Sequence, residues 1–405
     1  MPEVRIESIA AGGDGVGRLD GLAVFTPRTA PRELVDVSTR QQGRLVRGRL
    51  LRIVEPSPER VPPRCRHYDG DRCGGCQLQH LNIDAQRSAK QRIVQDAFTR
   101  IARRPVPLPA IVPSPSEWEY RSRLTLAMRW QNGAWTMGLH RFDDVDSVFD
   151  LRECPITDPH VVAAWSSIRE ASRWLPRAPE LRGTVRLAGS GLALIIEGGE
   201  TWAHAREFAD AVPELGVIRW RPARGPSVVI VDRRTAATPE QSFDQVNAPV
   251  AAAARLEIME RALAGSPSTA VDAYAGLGAT ARALAEHGVT VTAIESDSAA
   301  VRFAADHLPA NARAVAARVE DVIAGLLPAD VVVLNPPRAG VDPRVAAALQ
   351  ATTVPRVMYM SCDAATLARD VARLPAYRVE SLRAYDMFPQ TAHVEVVCEL
   401  VPEGA

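Results

Sequence analysis

The sequence predicts an α/β domain around a mostly parallel sheet, preceded by a small β-barrel and a β-rich central region. From about residue 241, apolar strand-like runs alternate with alanine-rich helical stretches, which is typical of βαβ units. Residues 1–55 contain short strand-like runs separated by Gly, Pro and Asp turn signals. Further strand-like runs, among them SVFDLRE at 147–153, extend from residue 118 to about residue 235.

These patterns divide the chain into four segments. Residues 1–55 favour a small barrel of the OB type, a frequent nucleic-acid binder, although a purely structural barrel stays open. Residues 56–104 combine a Cys-rich loop with an amphipathic helix predicted over 84–104. A proline-rich linker opens the central β-rich segment, 105–240, and residues 241–405 form the α/β domain.

The charge of the chain is unevenly distributed. Its 405 residues carry no net charge, but residues 1–105 contain 19 Lys and Arg against 12 Asp and Glu, a balance of +7. The remaining residues then carry −7. This asymmetry indicates a module that faces nucleic acid, although a solvated basic surface would have the same composition.

The N-terminal residues are polar and Gly-rich, without the apolar segment of a secretory signal. No apolar run approaches the ~20 residues that a membrane span needs. We therefore expect a cytoplasmic, monomeric protein without a membrane span, whose cysteines stay reduced.

A nucleotide-type site is predicted where the first α/β strand runs into Ala275-Gly276-Leu277-Gly278. The Gly-x-Gly turn lets backbone approach a ligand, and Glu295, which ends the second strand, can accept hydrogen bonds from two ribose hydroxyls. Ala281 stands where a dinucleotide fold has its third glycine. The pattern favours S-adenosylmethionine over NAD, while an NAD-like or empty Rossmann fold is the alternative.

Three further segments supply candidate chemical groups. Cys362 directly follows the strand RVMYMS, and Asn335 to Arg338 follow the strand DVVVL, so both should reach the ligand edge of the sheet. Glu395 interrupts an apolar strand, where burial would raise its pKa and suit it to act as a base. The alternatives are a buried structural cysteine and an edge-strand glutamate that faces water.

The remaining cysteines predict a metal site. Cys65, Cys73 and Cys76 lie within twelve residues, and Cys154 follows 78 positions later. A CxxC in a loop rich in Pro and Gly brings two thiolates to one metal without strain. Spacing alone leaves zinc and a 4Fe-4S cluster open. Cys398, on the final strand, is expected in the core.

The order of these motifs resembles the uracil-C5 RNA methyltransferases that carry a TRAM domain and an iron–sulfur cluster, over nearly the whole length. The matching motifs are CGGCQLQH at 73–80, CPI at 154–156, SFDQVN at 242–247, DAYAGLG at 272–278, NPPRAG at 335–340, SCDAATLARD at 361–370 and DMFPQTAHVE at 386–395.

The resemblance implies a class I methyltransferase domain and a covalent mechanism. Cys362 would attack C6 of a uracil in RNA, C5 would take the methyl group of S-adenosylmethionine, and Glu395 would remove the C5 proton. Phe243 would stack on a base drawn out of the RNA. The other implied contacts are Gln245, Tyr274, Gly276, Glu295 and Asn335 for the cofactor, Arg338 for the substrate, and Cys65, Cys73, Cys76 and Cys154 for a 4Fe-4S cluster.

The resemblance favours 23S ribosomal RNA as the substrate, with transfer RNA as the alternative. Three positions depart from the family pattern: Asn335 replaces Asp, Ala279 replaces Asn, and Asp363-Ala364 replaces Asn-Pro. They support a second hypothesis, an RNA-binding homologue with weakened catalysis. A third, radical chemistry, is disfavoured because the cysteine spacing is not CxxxCxxC.

Overall fold

The structure, a computed structural model, describes residues 2–43, 45–189, 191–234 and 245–404. The N-terminal segment is a closed five-stranded barrel. Its strands are β1 (Glu3–Ile9), β2 (Gly15–Leu19), β3 (Leu22–Thr26), β4 (Leu34–Gln42) and β5 (Leu45–Glu55). They close in the order β1-β2-β3-β5-β4, around a core of valines with Ile6. In the first part of β1, Val4 and Ile6 point inward, as the two-residue period of a strand requires, and a register shift after Ile6 allows Ile9 to be buried as well.

The next segment contains the Cys-rich loop, the short helix α1 (Arg66–Asp69) and the helix α2 (Ile83–Ala97). Asn82 caps α2 by accepting a hydrogen bond from the Ala85 amide. The α-helix ends earlier than the predicted residue 104, because a π-helical turn, Phe98–Ala102, follows Ala97.

The central segment is built on a six-stranded sheet. Its strands are β7 (Arg123–Gln131), β8 (Ala134–Gly138), β9 (Glu180–Ala188), β10 (Gly191–Glu197), β11 (Leu215–Arg221) and β12 (Val228–Asp232). They are arranged in the order β12-β11-β10-β9-β7-β8. Helices α3 (Pro159–Glu170) and α4 (Ala205–Ala211) and a 3-10 turn, Ser172–Trp174, accompany the sheet.

Two expectations for this segment were wrong. The run at 147–153 is not a regular strand, since it makes only an isolated bridge from Val148 to His140. Phe149 and Leu151 are instead buried in the core beside α3. The proline-rich linker is not free of structure either, because β6 (Ala110–Val112) joins the sheet of the C-terminal domain.

The C-terminal domain has an eight-stranded, mostly parallel sheet. Its further strands are β13 (Thr269–Ala273), β14 (Thr290–Glu295), β15 (Ala312–Ala316), β16 (Val331–Leu334), β17 (Arg356–Ser361), β18 (Tyr377–Tyr385) and β19 (Glu395–Pro402). The order is β15-β14-β13-β16-β17-β19-β18-β6, with β19 antiparallel to both neighbours. The helices are α5 (Ala248–Leu263), α6 (Ala279–Glu286), α7 (Ser298–His307), α8 (Val319–Val322), α9 (Pro343–Thr352) and α10 (Ala364–Ala372), with a 3-10 turn, Ile323–Leu326. The predicted α/β domain is confirmed.

The segments pack on one another through a shared core. Ile9 and Ala30 of the barrel segment, Ile93 and Val94 of α2, and Tyr359 of β17 belong to one buried apolar cluster. Burial of this kind holds the barrel and α2 against the α/β domain. In the part of the chain that the structure describes, no helix is long and apolar enough to cross a membrane.

Candidate active site

A cleft of about 1590 Å³ lies where the Cys-rich loop, the central sheet and the α/β domain meet. Its walls include every predicted site residue that the structure describes; Phe243 lies outside the described residues. Those residues are Cys65, Cys73, Cys76, Cys154, Gln245, Tyr274, Gly276, Glu295, Asn335, Arg338, Cys362 and Glu395.

One side of the cleft is built by the turn after β13 and the end of β14. Tyr274, Gly276 and Gly278 all have positive φ, so the chain folds tightly before α6 begins. The Gly276 amide donates to Glu295 Oε2 at 3.0 Å, while Glu295 Oε1 accepts from the Ser296 and Asp297 amides. The carboxylate therefore braces the turn, and Oε2, with one donor, keeps capacity for a ligand hydroxyl.

Asp272, at the end of β13, supports this turn from beneath. Its Oδ2 accepts from the Ala281 amide at 3.0 Å and thereby ties the strand to α6. Burial is the main cause that raises the pKa of Asp272 to about 7, with a further contribution from the charge of Glu295.

The thiol of Cys362 lies at the carboxyl end of β17, where α10 starts. Asp363 caps that helix, because its Oδ1 accepts from the Thr366 amide at 2.7 Å. Asp363, which stands where the family pattern has Asn, therefore stabilises α10, since the N-terminus of a helix favours a carboxylate. Burial and then the charge of Glu395 raise the pKa of Cys362, and Arg338 lowers it; Asp363 contributes only a smaller increase.

Glu395 is the first residue of β19, which lies in the interior of the sheet between β17 and β18, not at an edge. The residue is 1% exposed, and its Oε2 has no hydrogen-bond partner. Burial raises its pKa to about 8, against the opposing charge of Arg338. A buried acceptor without a partner is rare. Because Glu395 lines the cleft, its Oε2 is available to a substrate.

Arg338 links the two groups electrostatically. Its exposed guanidinium lines the same cleft as the Cys362 thiol and the Glu395 carboxyl, and its positive charge lowers the pKa of both groups against the effect of burial. A positive charge beside a thiol favours the thiolate, which is the nucleophilic form.

Cys65, Cys73, Cys76 and Cys154 line the same cleft, on the Cys-rich loop and the central segment. Burial raises the pKa of all four thiols, and the charge of Cys154 raises the pKa of Cys65, Cys73 and Cys76 further. The Gly75 amide donates to Cys73 Sγ at 3.3 Å, and the Thr157 hydroxyl donates to Cys154 Sγ at 3.1 Å. Within the described ranges, no group of three or more His, Cys, Asp or Glu side chains is close enough together to hold a single metal ion.

The structure also reveals polar groups that were not predicted from the sequence. Lys90, the only lysine of the chain, is fully buried and donates to Asp386 Oδ1 at 2.5 Å and to the Phe388 carbonyl at 2.9 Å. Gln86 pairs reciprocally with Gln390. Helix α2 thus holds the loop between β18 and β19, which ends at Glu395. The amphipathic pattern of α2 was a signal for a packed helix, but not for these partners.

A second unpredicted feature is a basic face on the central sheet. Arg123 of β7 lies directly opposite Arg186 of β9, and both line the cleft together with Arg182 and Arg221. Arg182 and Arg221 both pair with Glu197, which also lines the cleft.

The fold and the cleft define a Rossmann-like methyltransferase with a thiol and a carboxyl beside its nucleotide site. A family model for tRNA (uracil-5-)-methyltransferases matches residues 311–401, and one for the methyltransferase small domain matches residues 250–353. The 23S rRNA (uracil(1939)-C(5))-methyltransferase RlmD of Dechloromonas aromatica is 32% identical, over 98% of this chain and 99% of that protein. The chain belongs to the family of uracil-C5 RNA methyltransferases.

Two further proteins resemble the chain over nearly its whole length. An uncharacterized RNA methyltransferase of Thermosynechococcus vestitus is 31% identical, over 98% of this chain and 97% of that protein. The tRNA (uracil-54, C5)-methyltransferase of Pyrococcus abyssi, solved with S-adenosyl-L-homocysteine, superposes with a TM-score of 0.72 at 23% identity. That alignment covers 99% of this chain and 100% of the Pyrococcus abyssi protein, so the two proteins share their fold.

Proposed function

We propose that this protein methylates C5 of a uridine in 23S ribosomal RNA through a covalent intermediate on Cys362. The observation that carries the proposal is the placement of the Cys362 thiol and the buried Glu395 carboxyl in one cleft, beside a nucleotide-type turn. Relatives named for 23S ribosomal RNA that align over the full chain support the substrate. Ribosomal RNA as substrate also supports a cytoplasmic location, and we propose that the protein acts as a monomer.

The proposed chemistry begins at Cys362 because C5 of uracil is a poor nucleophile. The sulfur forms a bond to C6, and the C5–C6 electron pair moves onto C5 and the adjoining carbonyl. S-adenosylmethionine would supply the methyl group that C5 receives, as its methyl–sulfonium bond breaks and the thioether S-adenosylhomocysteine leaves. Glu395 then takes the proton from C5, the C5–C6 double bond re-forms, and the bond from sulfur to C6 breaks.

Glu395 suits the role of base because of its surroundings. Its pKa of about 8 lies near neutral pH, where a general base is both available and strong enough. Arg338 is the group that we propose to favour the Cys362 thiolate, and its exposed guanidinium is also placed to contact RNA phosphate.

The methyl donor would be held by the turn after β13. Gly276 permits close approach of the backbone, and Glu295 Oε2 would accept from a ribose hydroxyl. We propose that Gln245, Tyr274 and Asn335, which line the same cleft, complete this site.

RNA would enter over the basic face of the central sheet. This face carries Arg123, Arg182, Arg186 and Arg221, of which Arg182 and Arg221 pair with Glu197. Residues 1–105 add their surplus of positive charge, which favours binding to a phosphate backbone. We propose that Phe243 stacks on the displaced base, because a stacked uracil cannot expose C5 and C6 to the enzyme.

We further propose that Cys65, Cys73, Cys76 and Cys154 hold a 4Fe-4S cluster. All four thiols line the same cleft, and Cys65, Cys76 and Cys154 belong to one buried cluster of side chains. The sulfurs of Cys73 and Cys154 accept hydrogen bonds, as metal-bound thiolates commonly do, and both observations support the proposal. The cluster would tie the Cys-rich loop to the central domain. Aerobically and anaerobically purified protein should contain about four iron and four sulfide per chain; one zinc and no iron would contradict the cluster.

Trapping with 5-fluorouridine tests the covalent step. Fluorine at C5 cannot leave as a cation, so RNA containing 5-fluorouridine and S-adenosylmethionine should form an adduct with the wild-type protein that survives denaturation. Cys362→Ala should form none. Cys398→Ala is the matched control, since Cys398 is fully buried in β19 and outside the cleft, and it should trap RNA like wild type. Equal trapping by Cys362→Ala would contradict the mechanism.

The substrate is tested by nucleoside mass spectrometry of RNA from a deletion strain. We expect one 5-methyluridine to disappear from 23S ribosomal RNA and to return with the wild-type gene but not with Cys362→Ala. Loss from transfer RNA alone would replace the proposed substrate, and no loss from either RNA would favour an RNA-binding protein without activity.

A further inference from the structure

The loop that carries Arg338 is held by one face of α10. The Arg338 carbonyl accepts from the Thr366 hydroxyl at 3.2 Å, and the next carbonyl, that of Ala339, accepts from Arg369 at 2.7 Å. The Val341 amide donates to Asp370 Oδ2 at 2.9 Å. Residues 366, 369, 370 and 373 have the spacing of a single helical face, so one side of α10 grips residues 338–341.

The contact between the loop and α10 leaves no space for adjustment. Gly340 has a φ of +80°, and a Cβ atom at this position would overlap the Asp370 carboxylate, the Arg369 guanidinium and the Thr366 methyl group. A glycine is required there both for the backbone conformation and for the close approach.

Asp370 is the centre of this contact. It is fully buried, and its carboxylate accepts from the Tyr359 hydroxyl at 2.7 Å, from Arg369 and from Arg373, besides the Val341 amide. Tyr359 belongs to β17, three residues before Cys362. The carboxylate therefore joins the strand that ends at the thiol, the helix that starts beside it, and the loop that brings in the guanidinium.

We propose that Asp370 is a positioning residue for the Cys362 nucleophile: its carboxylate holds residues 338–341 against α10 and so keeps the Arg338 guanidinium beside the thiol. The proposal rests on the proposed role of Cys362. It adds that the reactivity of the thiol is set by a buried carboxylate that touches neither RNA nor methyl donor.

The charge of Asp370 is as important as its shape. Arg369 and Arg373 both donate to Oδ1, and charge-assisted bonds of this kind are roughly twice as strong as neutral ones. An asparagine would keep one acceptor oxygen but would lose the charge that holds the two guanidinium groups. Arg369 also donates to the Ala339 carbonyl, so a displaced Arg369 would release that carbonyl. The loop could then move, and the neighbouring Arg338 would move with it.

The test measures how fast iodoacetamide alkylates Cys362 as a function of pH, with peptide mass spectrometry to separate this cysteine from the others. The assay needs no RNA and no methyl donor. Wild type, Asp370→Asn, Arg338→Gln and the double variant form a double-mutant cycle. The thermal unfolding midpoint of each variant is recorded alongside.

We expect Asp370→Asn to raise the pH midpoint of alkylation by about one unit, because a cation within ~4–6 Å lowers the pKa of an acid by about that much. At neutral pH the alkylation rate falls roughly tenfold, in proportion to the thiolate fraction. In the Arg338→Gln background, Asp370→Asn should change the midpoint no further. Equal changes in both backgrounds, or lower unfolding midpoints with an unchanged pH midpoint, would overturn the proposal.

Gly340→Ala provides an independent test if Asp370→Asn does not fold. It preserves every charge but forces the loop away from Asp370, so the midpoint should rise in the same direction. An unchanged midpoint in a folded Gly340→Ala variant would also overturn the proposal. The fluorouridine trap tests the nucleophile separately. If wild type is trapped but the effects of Asp370→Asn and Arg338→Gln on the pH midpoint add, only the proposed role of Asp370 is wrong. If wild type is not trapped, the covalent mechanism itself is wrong.

Discussion

Replacing Glu395 by Gln should make the folded protein more stable at alkaline pH and abolish catalysis. Glu395 is buried with an unpartnered Oε2, and its pKa is about 8 instead of the ordinary 4.5. The folded protein therefore keeps this proton up to about pH 8, whereas the unfolded chain releases it near pH 4.5. Between these values the folded state binds more protons, so the free energy of unfolding falls as pH rises.

The magnitude follows from the two pKa values. A change from 4.5 to about 8 corresponds to roughly 5 kcal/mol of stability lost across this window, at about 1.4 kcal/mol for each unit of pKa. Glutamine has nearly the same shape as the protonated side chain and cannot ionise. The two proteins should thus be equally stable near pH 5, and Glu395→Gln should be several kcal/mol more stable at pH 8.

The assay is urea unfolding of both proteins at intervals from pH 5 to pH 8.5, followed by fluorescence and circular dichroism. Glu214→Gln, an exposed glutamate of the central segment, is the matched control and should follow wild type. A stability difference between Glu395→Gln and wild type that stays under about 1 kcal/mol at pH 8 would refute the argument, because Glu395 would then titrate near its ordinary pKa.

Three other perturbations test the same cleft. Lys90→Met should lower the free energy of unfolding by about 3 kcal/mol, because the buried Asp386 carboxylate then keeps only the longer contact with Arg87 at 3.4 Å; full stability of this variant would mean that Arg87 alone compensates the charge or that Asp386 takes a proton. Gly276→Ala should weaken binding of S-adenosylhomocysteine in calorimetry, since it strains a φ of +54° at the predicted site, and unchanged binding would place the cofactor elsewhere. Single-turnover methylation at saturating RNA should accelerate as pH rises toward about 8, where Glu395 ionises; a rate that falls over this range would exclude Glu395 as the base.

Much of the α/β domain could be predicted because its signals are local. The strands that end at Ala273, Glu295, Leu334 and Ser361 each read as an apolar run followed by polar residues, and the structure has strands there. Parallel strands bring their carboxyl ends to one edge, so the meeting of Glu295, Asn335 and Cys362 at one cleft followed from topology.

Other elements lacked a distinctive local pattern. Strands β11, β15 and β18 were not predicted. In β15 and β18 the reason is that the strands are half-exposed and carry polar residues among the apolar ones. The run at 147–153 shows the opposite case, because its apolar residues are buried without a regular strand partner. Burial alone does not create a ladder of backbone hydrogen bonds.

The sequence by itself determined the fold class and the nucleotide-type turn, and it indicated the thiol and the carboxyl that we propose as the reacting groups. Only the tertiary structure decided what surrounds them. Lys90 and Asp386 are 296 positions apart, and Glu395 lies in the interior of the sheet because β18 pairs outside β19. The electrostatic environment of the site depends on burial and on distant partners, and neither is encoded in the local pattern of residues.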